Sequence, residues 1–168
     1  LLKNPYNLGY GASLKKGLLA AKGKWIIITD SDGTYPIDKI PQLLTYCGPY
    51  AMAVGARKHT SDKLGRKPAK WILKTIAGFL SGRAIPDLNS GLRIFKKDLA
   101  LEFLHLYPSR FSFTTTITLA FLSNDHPIKY VPIPYYKRIG SSNITPIDFF
   151  NFLGLIIKLI AYFKPLRM

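Results

Sequence analysis

Short apolar runs alternate along the chain with longer stretches in which apolar positions return every three or four residues, a pattern that predicts an α/β sheet flanked by helices. Gly9 and Gly11 form a turn before a helix-compatible run from Ala12 to Lys22, and Gly23 stands where a left-handed helix terminator belongs. Trp25-Ile26-Ile27-Ile28-Thr29 reads as a strand buried on both faces of a parallel sheet, ending in the polar turn Asp30-Ser31-Asp32-Gly33. Pro36 opens a helix over Ile37 to Cys47, and Ala51 to Gly55 is a second apolar strand closing on Arg57.

Farther on, Ile72, Leu73, Ile76, Phe79 and Leu80 fall on one stripe of a helix over Ala69–Leu80, with Lys70 and Lys74 off the stripe, which makes it basic and amphipathic. Asp87 to Phe95 reads as a turn and then a strand, Asp98–Leu106 and Thr114–Ser123 as helices, and Ile128–Ile133 as a strand. Phe149 to Phe163 is apolar almost all round. As a helix it would reach ~22 Å, short of the ~30 Å hydrocarbon core, so it is expected to lie in a membrane interface or pack on a neighbour.

Charge changes the picture next. The chain has 24 Lys and Arg against 9 Asp and Glu, a net of +15, which points to anionic partners: nucleic acid, an anionic membrane surface or phosphorylated substrates. Nucleic acid finds no support in pattern, since there is no zinc-ligand set and no RNA-recognition signature, and the basic residues border apolar helical stripes. Cys47, the only cysteine, excludes an internal disulfide and a Cys-based zinc site, and favours a reducing compartment. The first residues do not read as a signal peptide, and a start at Leu1 so close to a glycine-rich turn reads as a cut chain.

The candidate chemistry lies at Asp30 and Asp32. Two carboxylates one residue apart, on a loop leaving a buried strand, can share one hard divalent cation, and open α/β sheets bind ligands at that edge. With Asn7-Leu8-Gly9-Tyr10-Gly11-Ala12 before them and Thr34-Tyr35-Pro36 after, they resemble the middle of the family 2 glycosyltransferases with a GT-A fold. Three further blocks match in order: Val54-Gly55-Ala56-Arg57, Asp87-Leu88-Asn89-Ser90-Gly91-Leu92-Arg93, and Val131-Pro132-Ile133 running to Arg138-Ile139-Gly140-Ser141-Ser142. The polyprenyl-phosphate sugar transferases, dolichyl-phosphate mannose synthase among them, are the most similar group.

The resemblance implies a partial GT-A domain over 1–148, a mixed sheet flanked by helices and cut short at its N-terminus, and an apolar membrane-proximal helical segment over 149–168. It implies an enzyme that passes a sugar from a nucleotide-sugar to a lipid-linked phosphate with inversion, at the cytoplasmic face of a plasma membrane or endoplasmic reticulum. Asp30 and Asp32 would hold Mg²⁺ or Mn²⁺ against the donor diphosphate. Arg57, Arg93 and Arg138 would contact phosphate, Arg138 foremost because Ser141 and Ser142 share its loop. Asp87 would orient the acceptor as a catalytic-site residue, and Asn7, Gly9 and Gly11 would lie on the nucleotide-sugar side.

The family's base-reading segment would precede Leu1, so the isolated chain is expected to lack normal sugar-nucleotide affinity. Two departures stand out. Thr34 replaces a Gln common in the dolichyl-phosphate mannose group, and Phe113-Thr114-Thr115-Thr116 lacks the acid that many hydroxyl-glycosylating members carry. That absence favours a phosphate acceptor, already ionised near neutral pH with a second pKa of about 6. The alternatives are transfer to a sugar hydroxyl, or a non-catalytic basic fragment that binds membrane or nucleic acid.

Overall fold

The computed structural model describes residues 1–58, 85–110 and 112–136, together with the helical residues 154–155, 158–159 and 161–163. Four strands form one mixed sheet: β1 (Trp25–Ile28), β2 (Met52–Arg57), β3 (Arg93–Lys96) and β4 (Ile128–Ile133), in the spatial order β1-β3-β2-β4. β3 runs antiparallel to both of its neighbours, with Ile28 opposite Arg93 and Val54 opposite Arg93, while β2 and β4 are parallel. The carboxyl ends of β1, β2 and β4 and the start of β3 therefore share one edge of the sheet.

Strand alternation divides the core between the two faces. Met52, Val54 and Phe95 face a layer containing Leu18, Phe113, Ile117 and Phe121, whereas Ala53 and Ile94 face Tyr35, Leu43, Leu92 and Ile133. The first layer is built from α1 (Tyr10–Ala20), α3 (Lys97–Glu102) and α4 (Phe113–Ser123); α2 (Ile40–Leu44) lies on the other face. From Phe113 to Leu122 α4 is buried, threonines included; Thr116 donates to the Ser112 carbonyl and Thr118 to the Thr114 carbonyl, while the Thr115 hydroxyl donates to Asn89 Oδ1. Leu159 of the C-terminal helical residues joins the same core, and Phe163 packs against Phe103.

Several expected elements differ in detail. The first helix ends at Ala20 because Ala21 is extended (φ −65°, ψ 140°), so no left-handed glycine terminates it and Gly23 lacks a positive φ. The predicted helix over 37–47 is a 3-10 turn at Ile37–Lys39 followed by α2, and Thr45 ends it with its hydroxyl on the Gln42 carbonyl at 2.8 Å. The helix over 98–106 breaks at Phe103 into α3 and a 3-10 turn at Leu104–Leu106. β1 is not buried on both faces: Ile27 is 42% exposed, and among the described residues β1 pairs only with β3. Among the described residues no helix is long and apolar enough to cross a membrane. The basic helix expected over 69–80 lies outside the described residues.

Candidate functional site

The acidic turn sits where the sheet pattern placed it, just past the end of β1. Asp30 meets α1 and the loop before β3. The Tyr10 hydroxyl donates to its Oδ1 at 3.3 Å, and a Cβ placed on Gly91 would lie 2.6 Å from its Cγ. Glycine at 91 is thus a steric requirement of the carboxylate's position. Tyr10 is 39% exposed, yet desolvation of its hydroxyl and the Asp30 charge beside it push the phenol above its ordinary value.

Asp32 turns back onto the chain. Its Oδ1 accepts the Thr34 amide at 3.2 Å and the Thr34 hydroxyl at 2.6 Å, an Asx turn helped by Gly33 at φ 73°. Thr34 is fully buried, so the residue that departs from the mannose-synthase pattern shapes Asp32. Its carbonyl in turn accepts the Tyr136 amide at 3.0 Å, linking the acidic turn to the segment after β4.

Arg57 and Asp87, thirty positions apart and both expected to meet substrate, bind each other in this structure. Arg57 Nε donates to Asp87 Oδ2 at 2.7 Å and Nη2 to Oδ1 at 2.8 Å, while the Arg57 and Asn89 amides add bonds at 3.1 and 3.2 Å. Burial alone would raise the Asp87 pKa, but the Arg57 hydrogen bonds and charge outweigh it and hold the carboxyl below its usual range. Burial likewise opposes the Arg57 charge, and Asp87 more than compensates. The Arg57 guanidinium also lies 5.3 Å over the Tyr135 ring, which meets Tyr35 edge-on. A carboxylate accepting four hydrogen bonds and held ionised is a poor proton acceptor. Asp87 is a clasp between β2 and the loop 87–91.

Arg93 departs furthest from expectation. It is fully buried and bonded to Ser90, Thr114 and Thr118, so in this structure it presents no guanidinium to a phosphate. The physical reason is register: residue 93 shares the face of Phe95, beneath α4.

Asn7, Gly9 and Gly11 form a joint with the turn before α4. The Gly9 amide bonds Asn7 Oδ1 at 3.0 Å, and the Gly11 and Ala12 amides bond the Arg110 and Ser109 carbonyls at 2.9 and 2.7 Å. Gly9 has φ 91°, and a Cβ there would lie 2.9 Å from the Ser109 oxygen. The Gly11 and Ala12 amides at the start of α1 are therefore committed within the protein. Arg138, Ser141 and Ser142 lie outside the described residues.

Sequence reasoning passed over Tyr10 and Tyr35. Tyr35 is buried and its hydroxyl accepts the Gly91 amide at 2.7 Å, so the two tyrosines bracket the meeting of Asp30 with Gly91. Their signal was adjacency: Tyr10 sits between Gly9 and Gly11, and Tyr35 follows the acidic turn.

The family model described as glycosyl transferase family 2 matches residues 1–104. The chain belongs to that family. It is 27% identical over 180 residues to a dolichyl-phosphate beta-glucosyltransferase of Trichomonas vaginalis, covering 98% of this chain and 52% of that one. A dolichyl-phosphate hexose transferase of Haloferax volcanii is 26% identical, with 95% and 71% covered. The dolichyl-phosphate beta-glucosyltransferase of Saccharomyces cerevisiae is 22% identical, with 96% and 55% covered. The chain thus spans about half the length of several curated relatives it matches.

Among solved structures, glucosyl-3-phosphoglycerate synthase of Mycobacterium tuberculosis, crystallised with Mn²⁺, UDP and glucosyl-3-phosphoglycerate, superposes with a TM-score of 0.62. Identity is 16%, with 94% of this chain and 55% of that one covered. This likeness carries the fold, a mixed GT-A sheet flanked by helices.

Proposed function

We propose that the protein containing this chain is a hexosyltransferase that moves a sugar from a nucleotide-sugar to the phosphate of a polyprenyl phosphate at an anionic membrane surface, with inversion. The observation that carries this reading is the meeting of Asp30, from the end of β1, with Gly91 of the loop 87–91. It brings Asp30, one of the two acidic residues of the acidic turn, to the segment matching the family's acceptor side. The relatives named as dolichyl-phosphate transferases supply the acceptor class.

The donor set suits a hard divalent ion. Asp30 and Asp32 offer oxygen only, and among the described residues no third His, Cys, Asp or Glu joins them. Mg²⁺ or Mn²⁺ held this way would take its remaining ligands from diphosphate and water. When bound, it would supply Lewis-acid neutralisation of the charge on the leaving nucleoside diphosphate. Tyr10 and the Gly91 backbone fix where Asp30 can stand, and Thr34 fixes Asp32.

The acceptor's phosphate oxygen attacks the anomeric carbon as the bond to the diphosphate breaks. That oxygen is already ionised, with a second pKa of about 6, so positioning matters more than deprotonation. The tight pairing of Asp87 with Arg57 and the all-neutral start of α4 support such an acceptor over a sugar hydroxyl, which needs a base. A net charge of +15 suits a surface of anionic lipid.

The test is transfer of radiolabelled hexose by the purified full-length protein, offered polyprenyl phosphate in vesicles or an oligosaccharide hydroxyl acceptor. Mild-acid-labile lipid product, abolished in Asp30→Asn and Asp32→Asn variants that remain folded, is expected. Label passing only to the hydroxyl acceptor would select the other reading.

A further inference from the structure

Arg93 is a buried cation that the chemistry above leaves unused. Its residue exposure is 0%, and no carboxylate among the described residues lies within ion-pair distance of it. A guanidinium does not deprotonate in proteins, and a buried charge is tolerated only when hydrogen bonds replace its water. Those bonds run in two directions. Nε donates to the Ser90 carbonyl at 3.0 Å and Nη2 donates to the same oxygen, while Nη1 donates to the Thr114 carbonyl at 2.9 Å and the Thr118 hydroxyl at 2.8 Å. One side chain on β3 therefore ties the loop 87–91 to α4.

The other end of the Ser90–Gly91 peptide is held as well. Its carbonyl is gripped by Arg93, and its N–H donates to the Tyr35 hydroxyl at 2.7 Å. The Ser90 hydroxyl adds a bond of 2.6 Å to the Gly55 carbonyl on β2. This one peptide plane is fixed from both sides, and the Gly91 Cα that follows it abuts the Asp30 carboxylate.

We propose that Arg93 is a positioning residue that clamps the Ser90–Gly91 peptide so that Gly91 sets the place of the Asp30 carboxylate, and that it does not touch the donor or acceptor phosphate. The inference rests on the reading of Asp30 as a metal-holding residue, but the clamp can be measured apart from catalysis. Lysine at 93 keeps the charge yet carries one nitrogen on a flexible stem, which cannot bridge the Ser90 carbonyl and both α4 acceptors as the planar fork does.

The experiment compares wild-type full-length protein with Arg93→Lys, Arg93→Met and Thr118→Val, measuring amide hydrogen exchange, Mn²⁺ binding with a nucleoside diphosphate present, and transfer kinetics. The expected result for Arg93→Lys is faster exchange confined to residues 87–91, weaker Mn²⁺ binding, and a fall in kcat of about 100-fold, as a misplaced reacting group produces. The KM for polyprenyl phosphate should stay near the wild-type value.

Wild-type exchange and kcat in Arg93→Lys would overturn the clamp, because charge alone would then suffice. A raised acceptor KM with unchanged kcat would overturn it by assigning Arg93 to the phosphate. If the Arg93 variants do not fold, Thr118→Val, which removes one anchor and keeps the charge, is expected to speed exchange at 87–91, and unchanged exchange there counts against the proposal. If the wild-type protein transfers no sugar, the functional reading fails while the exchange data still decide the clamp.

Discussion

Replacing Gly91 with alanine separates a functional requirement from a structural one. Gly91 does not have a positive φ, so its backbone accepts alanine without strain. The obstacle is the Asp30 carboxylate, whose Cγ and Oδ1 would lie 2.6 and 2.9 Å from the new methyl carbon. Oδ2 stands closer still and ordinary contact begins near 3.4 Å, so Asp30 must retreat by about 1 Å. The loop is the less yielding partner, because Arg93, Tyr35 and the Ser90 hydroxyl all fasten it. The Asp30 side chain swings instead, at a cost of about 1 kcal/mol for a side chain driven off its rotamer.

The Gly91→Ala protein should therefore unfold within a few degrees of wild type. Its transfer rate should fall by about 100-fold, the loss that accompanies a displacement near 1 Å at a reacting centre. Thermal unfolding followed by circular dichroism and a radiolabelled transfer assay titrated with Mn²⁺ measure the two quantities. Wild-type turnover with unchanged Mn²⁺ dependence would refute the reasoning, since Asp30 would then work equally well from a displaced position. A large loss of stability would also count against it, by showing that the loop yields and the carboxylate does not.

Thr34→Val keeps shape and burial but removes the hydroxyl that donates to Asp32 at 2.6 Å, and should destabilise by about 1.5–3 kcal/mol, the range for a hydrogen bond to a charged group, in chemical denaturation. Thr34→Ser should recover most of that loss. Asp87→Asn leaves the Arg57 charge without its counter-ion, and because the Arg57 side chain is a third exposed the cost is discounted to about 2 kcal/mol from the 3–5 of a fully buried broken pair. The folded pKa of Asp87 is depressed, so the pair's contribution is present above the unfolded carboxylate value near ~4 and is lost as pH falls through the lower folded value. Wild type should thus lose stability in acid more steeply than Asp87→Asn in denaturation followed from neutral pH downward, and parallel curves would contradict the assignment. Tyr10→Phe removes only a 3.3 Å bond to Asp30 and should change stability by less than about 1 kcal/mol while loosening Mn²⁺ binding measured with a nucleoside diphosphate.

Much of the frame was legible before the coordinates. The β-branched run ending at Asp30 marks a strand and the acidic turn at its end, and β4 spans Ile128–Ile133 as the pattern predicts. Strand direction was not legible, because a four-residue strand such as Arg93–Lys96 has no periodicity that distinguishes parallel from antiparallel. The pairing of Arg57 with Asp87 joins residues from separate segments, and no local spacing announces it. Arg93 was expected to contact phosphate. Its alternation with Phe95 carried the opposite message, and reading that register would have placed it under α4. The exposure of Ile27 depends on what covers β1, which its own apolar run does not encode.

The most direct measurement of the central claim is Mn²⁺ binding to the full-length protein, read by electron paramagnetic resonance with and without a nucleoside diphosphate. Two carboxylates alone supply few of the ligands a hard cation needs, so the wild-type signal should show tight binding only with the diphosphate present. Asp30→Asn and Asp32→Asn should each abolish that diphosphate-dependent binding while leaving the unfolding temperature near wild type. Unaltered Mn²⁺ binding in both folded variants would contradict the assignment of the ion to the turn at the end of β1, and with it the transferase chemistry built on that site.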